Sequence, residues 1–542
     1  MNAKTSMYNY LLENIELFKD RTALIFFGQK INFATLSEKI DRMAQSLKDL
    51  GIKKDDNITI CLPNSPHAVV AFYAINRIGA VANIVHPLTP SLQLLQLMEK
   101  AQSKFLFMCD FAYFRYKDNL ENANIKTVIC RLETYMPKIL GTFFSLSNFR
   151  KNSHVDYKSQ LIIRYKNLLN SQKTLDVPDD SFDTPSIHLH SGGTAGDPKT
   201  VVLTNEAFNE QSSNAFNLIG INSFDDTRDK IMLGVLPMFH AFGLGVCFHM
   251  ALSNGAATLL IPKFAGKSTV KNIKKHKVNI WVGVPTMYGR MINYKKFDGR
   301  YLKNVVNIFS GADSFPKNLK TKFQDLLTKH GSKAKVCEGY GLTETAALIC
   351  VNTNKVYKEG SVGKPLVDTV IMAYDTEAER FCKPNECGEL VVKGPQNMIE
   401  YLGDTEATNN ALKKHGNDLW VHTGDYGCVD EENFVFFRQR IKRIVKISGV
   451  AIFPSEIEEA VTKLPFIKHA CAVGVKREQS GMAIKLFVEL KDGNAPSEKL
   501  KEQILTHCSQ HIIKWAVPRQ IVFEKSLPLT MMGKVDFKKL EE

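Results

Sequence analysis

The chain has no Cys-x-x-Cys pair, no internal repeat, no low-complexity linker and no unbroken apolar run of membrane-spanning length. Each absence removes a class. The eleven cysteines are odd in number and scattered, and the nearest two, Cys382 and Cys387, have the wrong spacing for a zinc knuckle. Neither a disulfide framework nor a structural zinc site is indicated, and a reduced, cytoplasmic compartment is expected. The N-terminal MNAKTSMYNYLLENIELFKD carries acidic residues and no apolar core, unlike a signal peptide. Residues 231–262 lack Asp, Glu, Lys and Arg altogether. However, Gly234, Pro237, His240, Gly243, Gly245, His249 and the Ser253-Asn254-Gly255 turn divide that run, which reads as a buried strand–loop–helix. No amphipathic anchor stands out, so at most peripheral membrane contact is expected.

What is present is an ordinary globular composition over 542 residues, long enough for more than one domain. A net charge of +14 suggests anionic partners such as polyphosphates, coenzymes or a membrane surface. No basic stripe with interleaved aromatics appears, so nucleic acid is not expected. From residue 5 to 110 helical patterns alternate with short apolar strands: helix 36–50, strand 57–62, helix 67–79, strand 81–85. The rhythm predicts a parallel sheet with helices on its faces. It returns with strands at 230–236, 257–261, 279–284 and 305–309, whereas 111–185 is polar and weakly periodic. Beyond about residue 365 the chain turns to short strands with turn signals. From Arg440 it reads as a separate α+β module, with 19 Lys and Arg against 12 Asp and Glu over 438–542. The expected organisation is α/β, with a large multi-sheet domain over 1–439 and a small mobile α+β domain over 440–542.

The most distinctive stretch is SIHLHSGGTAGDPKTVVLT, residues 186–204. Ser191, Gly192, Gly193, Thr194 and Gly196 crowd into six positions, with Pro198 and Lys199 behind them. Glycines let consecutive backbone N–H groups converge on an anion. The alternating residues before the loop and the β-branched ones after it predict a β-hairpin tip, which is not the strand-to-helix setting of a Walker phosphate loop. Alone, such a cluster is more often a surface turn.

Further pieces follow in order: LPMFHAFG (236–243), EGYGLTET (338–345), VHTGDYG (421–427), RIKRIVKISG (440–449) and LPLTMMGK (527–534). Together with the glycine loop they resemble the acyl-adenylate-forming superfamily of acyl-CoA synthetases, aryl-CoA ligases, luciferase and peptide-synthetase adenylation domains. The resemblance covers about residues 20–540. It implies that Ser191 to Lys199 hold the β- and γ-phosphates of ATP, that Tyr340 stacks on adenine beside Gly339 and Gly341, and that Thr343 lies near the α-phosphate. Glu344 would hold Mg²⁺, with Thr194 beside it as a second ligand. Asp425 would accept from both ribose hydroxyls, and Arg440 would reach the same sugar. Lys442 would be the hinge, and Lys534 would bridge carboxylate and phosphate. After rotation about Lys442, Lys446 to Gly449 would face the acyl-adenylate for attack by coenzyme A.

These roles make chemical sense. A carboxylate needs no general base to attack phosphorus; it needs relief of charge repulsion and in-line positioning. Each residue also has a bland alternative: Tyr340 a core aromatic, Glu344 a helix-start acid, Asp425 a turn former, Lys534 a solvated charge. Departures from the family pattern are Ala195 for the second loop Thr, Thr200 for the Gly after Lys199, and Glu400 for a usual Gly.

The segment PMFHAFG offers no carboxylate to pair with a substrate ammonium, so an amino acid is disfavoured. By the resemblance, His240 lines the acyl tunnel, with a satisfied core histidine as its alternative, and Gly283, Met287 and Gly311 border the acyl pocket. The expected activity is ATP-dependent conversion of a medium- or long-chain fatty acid to acyl-AMP, then acyl-CoA. An aryl-CoA ligase and a ligase loading a separate acyl carrier protein stay open. A non-catalytic binding homologue is disfavoured because Glu344, Asp425 and Lys534 are all present. Lys534 lies eight residues from the end of the chain, which makes free coenzyme A the first choice of acceptor.

Overall fold

The computed structural model describes residues 2–171, 178–191, 199–447, 450–477, 481–529 and 535–541. The described chain forms two compact units. The larger takes in residues up to 191, residues 199–371 and Val392–His422; the smaller takes Met372–Val391 and the chain from Thr423 onward.

Two sheets organise the larger unit. In the first, the central strands Val336–Tyr340, Asn307–Ser310, Ile280–Gly283, Ile231–Gly234, Ala257–Leu260 and Thr22–Phe26 run parallel, with short antiparallel strands at both edges. In the second, Ile187–Ser191, Val81–Ile84, Asn57–Cys61, Phe105–Cys109, Lys126–Cys130 and Ile162–Arg164 are parallel neighbours. Lys199–Leu203 adds antiparallel beside Ile187–Ser191. Most of these strands are apolar and buried on both faces, as parallel strands between helical layers must be. The βαβ rhythm of the sequence is therefore the rhythm of the fold, with ends moved by up to three residues.

The helix Pro66–Arg77 shows why. Ser65 accepts a hydrogen bond from the Ala68 N–H, Pro66 sits at the first helical position, and every residue from Pro66 to Asn76 is buried. Such all-round burial suits an apolar helix packed within the core rather than on its surface. The charge-free run resolves into strand Ile231–Gly234, a helical segment through Gly243–Met250 wound in wide π-type turns, and strand Ala257–Leu260, all buried but for Ile231. No helix among the described residues is long and apolar enough to cross a membrane. All eleven cysteines are unpaired.

In the smaller unit, strands Ile467–Arg477, Gly481–Leu490 and Gln520–Glu524 form one sheet, with helices Pro454–Thr462 and Glu498–His511 against it. Ile457, Val461, Leu486, Val488 and Ile504 fill its core. The Arg443 guanidinium meets Glu458 at 2.6 Å, and Glu458 also accepts from the Ala472 N–H at 2.9 Å. Burial raises the Glu458 carboxyl pKa despite that partner. The pair fastens the start of the module to its first helix.

Candidate active site

In the first sheet the candidate residues gather at one edge. Gly283 is in register with Ser310, and Ser310 with Glu338, so these positions share the carboxyl ends of three adjacent parallel strands. The segment from Leu236 to Gly243 leaves the end of a fourth, Ile231–Gly234. Ligands of open α/β sheets bind at such ends, where diverging loops leave a crevice.

The strands that flank the glycine-rich stretch pair antiparallel, as the sequence predicts. Ser191 pairs with Lys199 across it, and the Ser191 hydroxyl donates to the Lys199 carbonyl at 3.3 Å. Gly192, Gly193, Thr194 and Gly196 lie outside the described residues. At the hairpin base, His190 is satisfied on both ring nitrogens, by Thr200 at 3.1 Å and Asn83 at 2.9 Å. Burial holds its pKa down near 3, so it is neutral.

Strand Glu400–Tyr401 pairs with the outer side of Lys199–Leu203. That pairing puts Tyr401 between two candidates: the Lys199 ammonium lies 4.4 Å from its ring centre, and its hydroxyl donates to the Glu344 carboxylate at 2.7 Å. The Glu344 carbonyl also accepts from the Met398 N–H at 2.8 Å. Sequence reasoning missed Tyr401, because a two-residue strand has no periodicity to read.

Glu344 sits in the single turn Thr343–Thr345, which follows the strand carrying Gly339 and Tyr340. The turn closes tightly. Ala346 and Ala347 take positive φ of 50° and 90°, a strained setting for residues with a Cβ. Gln211, fully buried, donates to the carbonyls of Thr345 and Ala346 and holds the turn in place. Gly341 is obligatory, since a Cβ there would lie 1.4 Å from the Ala347 carbonyl oxygen. Gln211 in turn fits against Gly245, where a Cβ would stand 2.7 Å from its amide oxygen. So the helix following PMFHAFG and the Glu344 turn are built around one glutamine that no motif revealed.

His240 is half-buried with its Nε2 enclosed and unpartnered, and burial depresses its pKa to about 4. A neutral imidazole stands there at pH 7. Its ring lies 4.7 Å from that of Phe239, which packs on His86. Below the sheet edge is a narrow apolar slot with only about 20 Å³ of free space, walled by Met232, Phe242, Val246, Met250, Phe309 and Gly339. Gly311 supports one wall: a Cβ there would come within 3.1 Å of the Phe242 ring. Gly283 instead makes room for Tyr288, whose ring a Cβ would meet at 3.2 Å and whose hydroxyl donates to the Phe309 carbonyl. Met287 is half-buried between two apolar clusters.

In the smaller unit, Asp425 and Arg440 face each other across an antiparallel ladder, with Arg440 Nε 2.9 Å from the Asp425 carboxylate. Asp425 is 1 % exposed. Its loop is fixed by Thr423, which donates to the Leu390 carbonyl and accepts from the Asp425 N–H, and by Glu389, which accepts from Gly424 at φ 67°. Lys442 is exposed in the short turn Ile441–Arg443, where the ladder ends and the module begins. Lys446 is exposed and pairs with Glu377 at 3.4 Å, a contact too solvated to weigh much. Gly449 and Lys534 lie outside the described residues.

A family model described as "AMP-binding enzyme" matches residues 11–402, and one described as "AMP-binding enzyme C-terminal domain" matches 456–534. The chain belongs to the AMP-binding enzyme family. Among its relatives is the long-chain-fatty-acid–CoA ligase of Bacillus subtilis (strain 168), 28% identical over 547 residues, covering 99% of this chain and 94% of that protein. The 4-coumarate–CoA ligase 1 of Solanum tuberosum is 27% identical, covering 98% and 92%. ATP-bound MatB from Rhodopseudomonas palustris shares the fold at a TM-score of 0.84 and 21% identity, covering 100% of this chain and 98% of that one. The enzyme family and the α/β fold with its separate C-terminal domain agree with the resemblance carried by the six sequence motifs.

Proposed function

We propose that this enzyme joins a medium- or long-chain fatty acid to AMP at the expense of ATP, releasing pyrophosphate, and then passes the acyl group to coenzyme A. The observation that carries the reading is the carboxyl edge of the first sheet, where the Glu344 turn, the PMFHAFG segment and an apolar slot free of charged side chains meet. The family-wide relatives support it, since one of them acts on long-chain fatty acids. In this reading Ser191, Lys199 and the loop between them receive the polyphosphate, and Tyr340 and Gly341 flank the base. Asp425 and Arg440 hold the ribose, Lys442 is the pivot, and Lys446 serves the thiol step.

Glu344 fits a Mg²⁺ ligand: it is half-exposed, one of its oxygens is steadied by Tyr401, and magnesium usually takes one or two carboxylates with phosphate and water. When bound, the ion supplies charge neutralisation on the phosphates. The residues of the chain do the rest. Lys199 and the loop N–H groups would screen the triphosphate, and Lys534 would lower the repulsion between two anions as the carboxylate oxygen attacks the α-phosphorus. Neutral His240 offers a hydrogen bond near the acyl carbon without adding charge to it.

A second reading, an aryl acid as substrate, is supported by the relative named 4-coumarate–CoA ligase 1. A pyrophosphate-release screen over fatty, aryl and short-chain acids, with and without coenzyme A, separates them. Acid-dependent pyrophosphate release with fatty acids, and acyl-CoA only when coenzyme A is added, is the expected result. If no acid supports exchange of labelled pyrophosphate into ATP, the proposal fails.

A further inference from the structure

The helix Lys138–Ser147, KILGTFFSLS, is turned the wrong way round for a soluble surface. Ile139, Phe143 and Leu146 lie at i, i+4 and i+7 and so form one stripe, and that stripe faces solvent, at 76%, 67% and 65% exposure. The opposite face holds Gly141, the helix's one buried residue, and Phe144, which packs edge-on against Phe111 at 5.9 Å. A side chain at Gly141 would meet the Glu133 carbonyl oxygen at 3.2 Å, so the helix is seated closely and is not loosely attached. Phe149, in the next short helix, is 68% exposed and extends the apolar surface. Contiguous large apolar side chains outside a core mark a docking surface.

The charges around the stripe say what docks there. No Asp or Glu occurs from residue 134 to 155, whereas Lys138, Arg150 and Lys151 all lie exposed along it. Arg115 lies nearby, 5.5 Å from the ring of half-exposed Phe114. A two-fold contact with a second copy would set this cationic rim against itself. An anionic bilayer surface answers both features, with headgroups for the cations and acyl chains for the stripe. We propose that the outward face of helix Lys138–Ser147 is a membrane-docking surface that lies in the interface of an anionic bilayer and buries Ile139, Phe143 and Leu146 among its acyl chains. The surface also brings the enzyme to where a long-chain acid partitions, a benefit that rests on the proposed function. The docking itself does not.

The test is co-sedimentation of the full chain with phosphatidylcholine vesicles, with and without phosphatidylglycerol. The variants are Phe143→Ser/Leu146→Ser and Lys138→Gln/Arg150→Gln/Lys151→Gln, each with its melting temperature checked against the parent. The parent is expected to bind the anionic vesicles, the first variant to lose about tenfold or more in partitioning, and the second to lose its preference for anionic lipid and its sensitivity to salt. No binding by the parent, or equal binding by parent and first variant, overturns the proposal. So does a lipid-free dimer that the first variant dissociates, which would assign the face to a second copy. Both variants should still release pyrophosphate with a water-soluble short-chain acid. If the parent binds vesicles through this face but activates no acid at all, the activity proposal falls and the docking surface stands.

Discussion

Replacing Tyr401 by Phe should impair metal-dependent adenylation while leaving the fold intact. The ring is buried and packs the same way without its hydroxyl, and the backbone pairing with Val201 is unaffected. What is lost is the 2.7 Å hydrogen bond to the Glu344 carboxylate. Bonds to a charged acceptor contribute about 1.5–3 kcal/mol net. Glu344 is half-exposed, so water can take over part of the role and the lower end applies, about 1.5 kcal/mol. If that energy serves to aim Glu344, kcat/KM falls roughly tenfold. Stability should fall by no more than about 1 kcal/mol, because the freed carboxylate can be hydrated. Pyrophosphate release measured against magnesium concentration checks this: the half-saturating magnesium should rise several-fold while the KM for the acid stays put. On a Glu344→Gln background the second substitution should add little, since the two side chains act as a unit. Unchanged magnesium dependence in Tyr401→Phe, or full additivity in the double variant, would refute the assignment of Glu344 as a tyrosine-aimed metal ligand.

Three further outcomes are expected. Lys534→Ala should abolish acid-dependent pyrophosphate exchange yet leave thioester formation from supplied acyl-adenylate largely intact, a split that single-turnover assays with each substrate would read; equal loss of both steps speaks against a two-conformation cycle. Gly311→Ala pushes on the Phe242 ring at 3.1 Å, so activity should fall more for a long-chain than for a short-chain acid, by about tenfold, while identical losses would remove Gly311 and Phe242 from the slot. Stability should fall with acid below pH 6.5: burial holds the pKa values of His67, His190 and His249 near 3 and those of His188 and His240 near 4, so all five stay neutral in the fold but gain protons on unfolding. Their contribution is whole above 6.5 and drains away as the pH drops toward 3–4, at up to about 7 kcal/mol per pH unit for the five together; urea midpoints between pH 5 and 7 should show it, and His249→Gln should flatten the slope by roughly a fifth.

Much of the fold was legible because short apolar strands and amphipathic helices alternate at parallel-sheet spacing. The break-up of the charge-free run at 231–262 was legible for a related reason: Gly, Pro and His interrupt it at positions no membrane helix tolerates in series. The hairpin at the glycine loop could be read from the alternation of Ile187 to His190 and the β-branched residues of the return strand. The site was legible only where a motif is contiguous. Gln211 and Tyr401 escaped notice because their work is done across 134 and 57 residues of chain, each in a side-chain hydrogen bond that leaves no local pattern. Gly283 shows the converse limit. A small residue at a strand end suggests an open pocket, but here the space is taken by Tyr288, whose position depends on the helix Pro285–Ile292 turning back over the sheet.

The exposed helix at 138–147 marks a deeper limit of periodicity. Its outward stripe of Ile139, Phe143 and Leu146 recurs at helical spacing, so the linear pattern carries an apolar face like that of a core-packed helix. Hydrophobic periodicity reports that a face is apolar, not what covers it. In a core helix the neighbours that cover such a face come from the same chain, and the pattern and the fold agree. Here the inward contact needs only Gly141 and Phe144, which leaves Ile139, Phe143 and Leu146, with Leu140 beside them, exposed to water. A covering surface must then come from outside the described chain, and the absence of acidic residues between 134 and 155 restricts it to something anionic. The same physics that makes Pro66–Arg77 a core helix therefore makes Lys138–Ser147 a docking one, and only the three-dimensional placement separates the two.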